Sequence, residues 1–554
     1  MSIRTSQLTL VPDPNQDRHH ANPHTLMSTP MPSSISASLR QTGHVQLGHI
    51  DYQATLKIVT LLIVIYWCLV WIYRITLHPL AHYPGPKLWA TTCLVQTFYA
   101  LRGEFAFKVA DLHTKYGPVV RLGPSAVSYI DEKAWEDIHG RHDGRKQLKK
   151  AKEFVPTSPP NGAQGLVFVK DDNAHGRLRR NFSHGFSDKA LRDQEDIIGG
   201  YFEKLVARIR RSSDDHEPIN MMRWYQLTTF DIVGDLTYGE DIGCMNDDAR
   251  DLHKWIENLY YIVKAMFLLG FMRDFFRLDK LLLIVMTSDK LPLKKNKHRL
   301  MLIEKLNRRL ERKEPRSDFM EHVIRNLNTP TGITYDEMLM TSSNLLMAGA
   351  ETTAMTLSGA TYLLCKNKHA LETVTVEVRE AFGADPARIA MTTTTDRHLP
   401  YLHGVIEETL RLFPPVPTTL PRATPPEGHF ICGNFVPGNT QVFVNQLAAY
   451  RWPEHFAESV SFRPERWNVQ NKEPKYEHDA KGVFKPFSTG PRNCIGRHLA
   501  YAEVRTLLAK ILVEFDMELM SESIDWMQSL KIYGVWEKRP LMIRFKPVTH
   551  RPLK

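Results

Sequence analysis

The sequence predicts a mainly α-helical protein with small β-sheets, preceded by one membrane-spanning helix. Long amphipathic patterns of helical period, as in 335–364 and 499–515, predict the helices. Strand-like segments such as 118–130 and 541–548 are short and fewer, so they predict only small sheets. An uncharged apolar run at 58–73 predicts the membrane helix.

The N-terminal segment is predicted to contain a tail and an anchor. Residues 1–53 are rich in Ser, Pro, His and Thr, and we expect them to be disordered. The run Ile58–Tyr73 would span about 24 Å as a helix, so a start at Ala54 brings it near the ~30 Å hydrocarbon core. We therefore assign 54–74 as a single transmembrane anchor, against the alternatives of a buried core helix or a signal-peptide core.

A proline-rich hinge and the main domain follow the anchor. Residues 75–90 contain three prolines and a glycine, a composition that makes a chain stiff and extended. This segment is either a simple linker or a rigid elbow that orients the body against the membrane. Residues 91–548 are predicted to form the main globular body, as one large domain or two lobes.

The composition excludes several classes of protein. The chain has 554 residues, 6 cysteines and a formal net charge of +10. The cysteines form no C-x-x-C pair, which argues against a zinc site or a disulfide framework and indicates a reducing compartment. The basic residues lie in short runs without a nucleic-acid-binding motif. We therefore predict no nucleic-acid partner, and instead a basic face toward an anionic membrane or an acidic protein.

One cysteine, Cys494, lies in a loop of turn-forming residues, FSTGPRNCIG. A helical pattern begins just after it, so unpaired N–H groups and the helix dipole would favour its thiolate. Gly490 and Gly496 let the backbone turn sharply and approach a flat ligand. Arg492 adds a cation, and Phe487 could shield the sulfur from water. A shielded thiolate suits a soft metal or haem iron, whereas a cysteine buried only as a small apolar residue would not explain its neighbours.

The five positions Phe487, Gly490, Arg492, Cys494 and Gly496 resemble the haem-binding signature F-x-x-G-x-R-x-C-x-G of the cytochrome P-450 superfamily. The resemblance implies the fold of that superfamily, with a large helical lobe and a small β-rich lobe. It also implies a cofactor, heme b (iron protoporphyrin IX), which these residues bind and whose iron takes Cys494 as its axial ligand.

A second group of residues resembles the structural motifs of the superfamily. Glu408 and Arg411 form an E-x-x-R pair on one helix face, which by itself could be a weak surface ion pair. The later segment Phe462–Trp467 resembles the P-E-R motif and offers Arg466 as a third partner. The resemblance implies a buried network of Glu408, Arg411 and Arg466 that is structural and not catalytic.

The segment Ala348–Thr353, AGAETT, resembles the oxygen-binding part of the long helix of the superfamily. Glycine and threonine loosen a helix, and a threonine hydroxyl can bond to the carbonyl of the preceding turn. We expect a local bulge there that leaves room for dioxygen and water. By resemblance, Thr352 delivers protons and Glu351 is its acid partner.

Further cations are candidates for binding the propionates of haem. Arg179 lies four residues after His175, which stands where the superfamily usually has tryptophan. Arg422 follows the E-x-x-R helix, and Arg492 precedes the cysteine. Three cations around two carboxylates are electrostatically reasonable.

The resemblance implies a function and its partners. The segments 78–88 and 230–245 resemble filamentous-fungal microsomal members of secondary metabolism, among them trichothecene C-15 hydroxylases. The implied enzyme is a monooxygenase in the endoplasmic reticulum membrane with a cytosolic catalytic domain. It would use dioxygen, a lipophilic substrate of terpenoid or polyketide type, and electrons from NADPH through a separate NADPH–cytochrome reductase, with cytochrome b5 as an optional donor.

Two other functions remain open from the sequence, as does the substrate. The alternatives are a haem-thiolate isomerase or dehydratase that needs no reductase, and a non-catalytic haem- or lipid-binding protein. By position in the superfamily, the candidate pocket residues are Leu346 and Met347, 416–420 and 533–536.

Overall fold

The computed structural model describes residues 51–140, 147–151, 162–246, 249–273, 292–383, 385–468 and 473–548. The predicted disordered tail, except for its last three residues, lies outside the described residues. The described residues divide into two units, with the boundary between residues 65 and 66.

The described residues are mainly helical, as predicted. In chain order the helices are α1 Tyr52–Thr76, α2 Lys87–Thr91, α3 Leu94–Arg102, α4 Phe105–Tyr116, α5 Glu132–His139, α6 Asp172–Ser183, α7 Asp188–Asp193, α8 Glu195–Asp214, α9 Met221–Tyr238, α10 Arg250–Arg273, α11 Pro292–Glu311, α12 Glu321–Arg325, α13 Tyr335–Lys366, α14 Lys368–Phe382, α15 Pro400–Leu412, α16 Gln446–Tyr450, α17 Arg497–Glu514 and α18 Trp526–Ser529.

The strands are short and form small sheets, which confirms the predicted fold class. They are β1 Val119–Gly123, β2 Ala126–Tyr129, β3 Lys149–Lys150, β4 Ile219–Asn220, β5 Arg422–Ala423, β6 His429–Ile431, β7 Asn434–Val436, β8 Gln441–Val444, β9 Phe515–Leu519, β10 Ile532–Tyr533, β11 Val535–Trp536 and β12 Met542–Pro547. The largest sheet has the order β1-β2-β8-β5-β3, and a second has the order β4-β12-β9. The pairs β6-β7 and β10-β11 are separate hairpins.

Helix α1 is longer than the predicted anchor at both ends. Its 25 residues would extend about 38 Å, more than the ~30 Å that a bilayer core requires. Its most apolar window has a mean hydropathy of 2.2, and none of that window is buried in protein. Among the described residues, α1 is the helix that is long and apolar enough to cross a membrane.

The predicted hinge is not a free linker where it joins the body. The backbone N–H of Arg121 in β1 donates to the Pro84 carbonyl over 2.7 Å. The Tyr83 hydroxyl donates to the carbonyl of Phe435 over 3.0 Å, and Leu80 is fully buried. These contacts fix the second half of the segment on the largest sheet and on the β6-β7 hairpin.

Helix α13 runs through the main core and packs along α9. A capping box of Thr334 and Glu337 starts the helix, because each side chain bonds to the backbone of the other residue. At Gly349 a Cβ atom would lie only 3.2 Å from Val233, so glycine allows the two helices to approach closely. The Tyr225 hydroxyl and the Thr361 hydroxyl are hydrogen-bonded over 2.8 Å in the buried interface. This packing fixes the position of the Ala348–Thr353 segment.

Candidate active site

The cysteine loop is shaped by hydrogen bonds of its own backbone. The N–H of Cys494 donates to the Phe487 carbonyl over 2.9 Å, and the N–H of Asn493 donates to the Gly490 carbonyl over 3.1 Å. Gly490 has a φ of +74°, and a Cβ atom there would lie 1.9 Å from the His139 carbonyl oxygen. Glycine is therefore required at this position by both conformation and space.

Gly496 does not make the sharp backbone turn that the sequence predicts, while its predicted approach to a flat ligand stays a prediction. Its φ is −90°, which other residues adopt readily, and a Cβ atom would meet the Phe186 ring only at 3.8 Å. The sharp turn of the loop therefore depends on Gly490. Gly496 is the N-cap of α17, and Cys494 lies two residues before it.

The Cys494 thiol is open on one face of the loop. Protein atoms crowd its other sides, and this burial raises the thiol pKa. The N–H of Gly496 and the cations Arg179 and Arg497 oppose that effect. Arg497 is thus a nearby cation that the sequence analysis missed, although its place three residues after the cysteine in the first helical turn was a usable signal. The predicted cation, Arg492, bonds to Val169 and Asp172 and lies beside Lys150 and Arg422.

Two of the predicted propionate ligands are already engaged by protein groups. The Arg492 guanidinium donates to the Val169 carbonyl over 2.8 Å and to the Asp172 carboxylate over 2.8 Å. Arg179 donates to the carbonyl and the side-chain oxygen of Asn493 over 2.7 and 2.6 Å. Both arginines therefore brace the cysteine loop against α6 and the segment before it.

Arg422 is buried and forms no ion pair with a carboxylate of the described residues, although the Asp172 carboxylate acts on it from a distance. The residue is 5% exposed, and among the described residues its Nη1 atom has no hydrogen-bond partner. Burial, with Arg492 nearby, lowers its pKa to about 10. The neighbouring His139 is also buried, and no described residue bonds to its Nε2. Cationic groups in such a state need an anion.

Lys150, in β3, joins Arg422 and was missed by the sequence analysis. Its ammonium donates to the Val167 carbonyl, and burial together with Arg492 and Arg422 lowers its pKa to about 6. His175 is buried in the same region, where burial and the surrounding cations lower its pKa to about 3 and keep its ring neutral. Only the pairing of β3 with β5 brings Lys150 next to Arg422, across a separation of more than 270 positions.

These observations fit a dianionic, flat, thiolate-binding group such as haem. The open face of Cys494 supplies the soft ligand, and Arg422 and Lys150 supply charge for two carboxylates. Arg492 and Arg179 hold the loop in place.

We expect Arg422→Met to release haem about tenfold faster, because a charge-assisted hydrogen bond contributes about 1.5–3 kcal/mol. The measurement is haem transfer to an excess of apomyoglobin. Arg397→Met, which removes an exposed arginine, is the control and should release haem at the wild-type rate. Equal release rates in the two variants would contradict a cofactor role for Arg422.

The carboxylate of Glu351 and the hydroxyl of Thr352, both on α13, have different surroundings. The Thr352 hydroxyl donates to the Ala348 carbonyl over 2.7 Å, one turn earlier. Glu351 is buried, accepts a hydrogen bond from Gln226 over 2.9 Å and forms an ion pair with Lys538. The predicted bulge is absent, since α13 is α-helical without interruption from Tyr335 to Lys366. The Thr352 hydroxyl bonds back without breaking the helix.

A cavity of about 310 Å³ lies beside the same helix. It is lined mainly by apolar side chains of α10 and α13 and by the loop before α6. Leu346 and Met347 line it, as predicted, whereas 416–420 and 533–536 do not. Asn344 adds a polar group to its wall. A cavity with this lining suits a lipophilic small molecule.

Glu408, Arg411 and Arg466 lie together and are fully buried. Arg411 donates to both Glu408 oxygens over 2.8 and 2.7 Å, and Arg466 donates to one of them over 3.1 Å. Although burial opposes it, the two guanidinium groups hold the pKa of Glu408 below its usual value. Asp479, which the sequence analysis missed, accepts from Arg466 over 2.7 Å and balances the second cation.

The profile of the cytochrome P450 family matches residues 83–545. The chain belongs to the cytochrome P450 family. This result confirms the resemblance read from the cysteine loop and the predicted enzyme class, a cytochrome P450 monooxygenase. Members of the family carry haem bound through a cysteine thiolate.

Several curated fungal proteins are similar to nearly the whole chain. The cytochrome P450 monooxygenase aclL of Aspergillus oryzae is 39% identical over 86% of this chain and 96% of its own length. The cytochrome P450 monooxygenase alt3 of Alternaria solani is 37% identical over 93% of this chain and 99% of its own length. The versicolorin B desaturase stcL of Emericella nidulans is 36% identical over 86% of this chain and 95% of its own length. Two of these three fungal relatives are named as cytochrome P450 monooxygenases and the third as a desaturase.

Proposed function

We propose that this cytochrome P450 is a membrane-anchored monooxygenase that oxidises a lipophilic secondary metabolite. Its electrons come from NADPH through a separate reductase, and its cofactor is heme b. The observations that carry the proposal are the exposed Cys494 in the signature loop and the buried cations Arg422 and Lys150, which form no ion pair with a described carboxylate. A thiolate and a site for propionates are what this cofactor requires.

Bound haem supplies the activation of dioxygen, and thiolate donation favours O–O cleavage. The protein residues position the cofactor and the protons. Cys494 would hold the iron, and Arg422 and Lys150 would neutralise the propionates. The Glu351 carboxylate and the Thr352 hydroxyl are the groups on α13 that would relay protons to the site. The apolar cavity wall excludes water from the substrate.

We expect Thr352→Val to raise the share of NADPH electrons released as hydrogen peroxide by about threefold or more, because the variant removes the proton-carrying hydroxyl. Peroxide, oxygen and NADPH are measured together with purified reductase. Thr352→Ser keeps a hydroxyl and should stay near the wild-type value. A low peroxide share in the valine variant would contradict the role of Thr352.

We propose that the protein is anchored in the same membrane as the reductase that donates its electrons. Helix α1 is long enough to hold the protein in the endoplasmic reticulum membrane, with the catalytic domain in the cytosol. The formal net charge of +10 favours docking to an acidic flavoprotein on that membrane, with cytochrome b5 as an optional second donor.

The substrate class follows from the cavity and from the relatives. The cavity is apolar with few polar groups, and one similar enzyme is named for its action on versicolorin B. We propose a terpenoid or polyketide-like substrate that is hydroxylated or otherwise oxidised, for example by desaturation.

The test is co-expression with a fungal NADPH–cytochrome reductase in a polyketide-producing host, followed by mass spectrometry of the metabolites. We expect a new oxidised product that requires both proteins. A product that forms equally well without reductase would overturn the proposal and favour the isomerase or dehydratase alternative.

A further inference from the structure

Lys538 lies outside the motifs on which the proposed function rests, yet it contacts Glu351. Its Nζ atom forms an ion pair with Oε2 of Glu351. The other oxygen, Oε1, accepts a hydrogen bond from Nε2 of Gln226 over 2.9 Å. Both oxygens of this carboxylate are therefore held by side chains from elements other than α13.

The ion pair is largely removed from water. The side chains of Lys538 and Glu351 are 14% and 11% exposed. Burial lowers the pKa of Lys538. The Glu351 carboxylate opposes this effect, and Glu257 opposes it more weakly. The Tyr260 ring lies 5.3 Å from the ammonium and closes the site from α10. Among the described residues, Glu351 is the only carboxylate in ion-pair contact with Lys538.

In such a site each charge depends on the other. Removal of one member of a buried pair leaves the other charge without compensation. Gln226 contributes only a neutral hydrogen bond to Glu351, so it cannot replace the ammonium. Lys538 therefore supplies the positive charge that holds the carboxylate in place.

The backbone around Lys538 is fixed by tertiary hydrogen bonds. Two residues earlier, the indole N–H of Trp536 donates to the Pro414 carbonyl over 2.7 Å. One residue earlier, the N–H of Glu537 donates to the Lys531 carbonyl over 2.7 Å. A side chain on a fixed backbone loses less entropy when it binds its partner than the same side chain on a mobile backbone would. The segment after the β10-β11 hairpin thus presents Lys538 to α13.

We propose that Lys538 is a positioning residue for proton delivery, which holds the Glu351 carboxylate where it can pass a proton to Thr352. The inference rests on the proposed proton role of Glu351. Without the ammonium, the Oε2 atom loses its fixed partner and the carboxylate can turn away from the route. In this proposal Lys538 acts through Glu351.

Loss of this positioning should change how much dioxygen is reduced to hydrogen peroxide and how much to water. Without substrate, one NADPH, one proton and one O₂ give one hydrogen peroxide and NADP⁺. With efficient proton delivery, two NADPH, two protons and one O₂ give two waters and two NADP⁺, because cleavage of the O–O bond consumes further protons. A misplaced Glu351 therefore shifts the ratio of O₂ to NADPH toward one and releases peroxide.

The first test uses Lys538→Met, which removes the charge at similar length, and Lys538→Arg, which keeps it. With purified full-length enzyme and reductase, we expect the methionine variant to raise the peroxide-to-water ratio about threefold or more, and arginine to restore most of the wild-type ratio. The carbon monoxide difference spectrum should be unchanged in both variants. Lys264→Met is the matched control, because Lys264 is also a lysine beside the β10-β11 hairpin and lies over the Tyr533 ring at 3.7 Å.

The second test does not depend on turnover. Acetylation of lysines by an amine-reactive ester is followed site by site with mass spectrometry. We expect Glu351→Gln to speed the labelling of Lys538 about fivefold or more, since the ion pair that holds the amine is lost, while the labelling of Lys264 stays the same. Unchanged labelling of Lys538 would overturn the inference.

Turnover measurements on Glu351→Gln distinguish a failure of the proton role of Glu351 from a failure of the positioning role of Lys538. If this variant keeps the wild-type peroxide ratio, the proposed proton role of Glu351 fails and the inference falls with it. If Glu351→Gln raises peroxide but Lys538→Met does not, only the role of Lys538 is wrong. If Lys538 acts through Glu351, adding Lys538→Met to Glu351→Gln should raise peroxide no further.

Discussion

Cys494→Ser is expected to abolish the carbon monoxide difference band typical of a haem thiolate and to remove all reductase-dependent oxidation. Serine has nearly the same size but a much harder oxygen, which does not donate electron density to iron as a thiolate does. The loop should keep its shape, because its hydrogen bonds are made by the backbone of Cys494, Phe487 and Gly490. The measurement is the difference spectrum of the reduced, carbon monoxide-treated enzyme after purification with added haem.

Cys365→Ala is the control for this experiment. Cys365 lies at the end of α13, where burial raises its thiol pKa to about 12, and it is remote in sequence from the cysteine loop. Its replacement should leave the difference band in place. A normal thiolate band in Cys494→Ser, or its loss in Cys365→Ala alone, would show that another side chain holds the iron.

Glu408→Gln is expected to lower the free energy of unfolding by about 3–5 kcal/mol, because two guanidinium groups would remain buried with one carboxylate fewer. Glu408 also accepts from the backbone N–H of Arg463 over 3.0 Å and from the indole of Trp467 over 2.9 Å. The amide can accept some of these bonds but cannot balance the charge. Urea denaturation of the solubilised holoenzyme measures the difference.

A matched exposed pair provides the control for the network. Glu458 pairs with Arg463 over 2.5 Å and is about one third exposed. Glu458→Gln should cost less than about 1 kcal/mol, since water screens and solvates such a pair. If both glutamine variants lose the same stability, the buried network has no special structural role.

Local motifs were predictable because their physics acts over short stretches of chain. The cysteine loop closes within eight residues through the bonds from Cys494 to Phe487 and from Asn493 to Gly490. The Glu408–Arg411 pair is set by helical spacing, and the bond of Thr352 to Ala348 follows from a hydroxyl one turn along a helix. The membrane-spanning potential of α1 is likewise readable from the sequence, because it depends only on the length and hydropathy of one segment.

Arg492 and Gly496 show what local reading leaves out. The sequence predicts Arg492 as a cofactor ligand but does not contain its bonds to Asp172 and Val169, which come from a distant segment. The sequence predicts that both glycines of the loop make sharp turns, whereas the φ of Gly496 is ordinary. A side chain's partner depends on which groups the fold brings within hydrogen-bond distance, and spacing along the chain does not contain that information.

The sequence by itself determined the mainly helical fold, the cysteine loop and the acid–alcohol pair on α13. Only the tertiary structure placed Lys150 beside Arg422, Asp479 beside Arg466 and Lys538 against Glu351. Each of these charges is isolated in the sequence and has no motif around it. Burial makes an uncompensated charge costly, so its partner is chosen by the packing of distant elements and becomes visible only when the chain is folded.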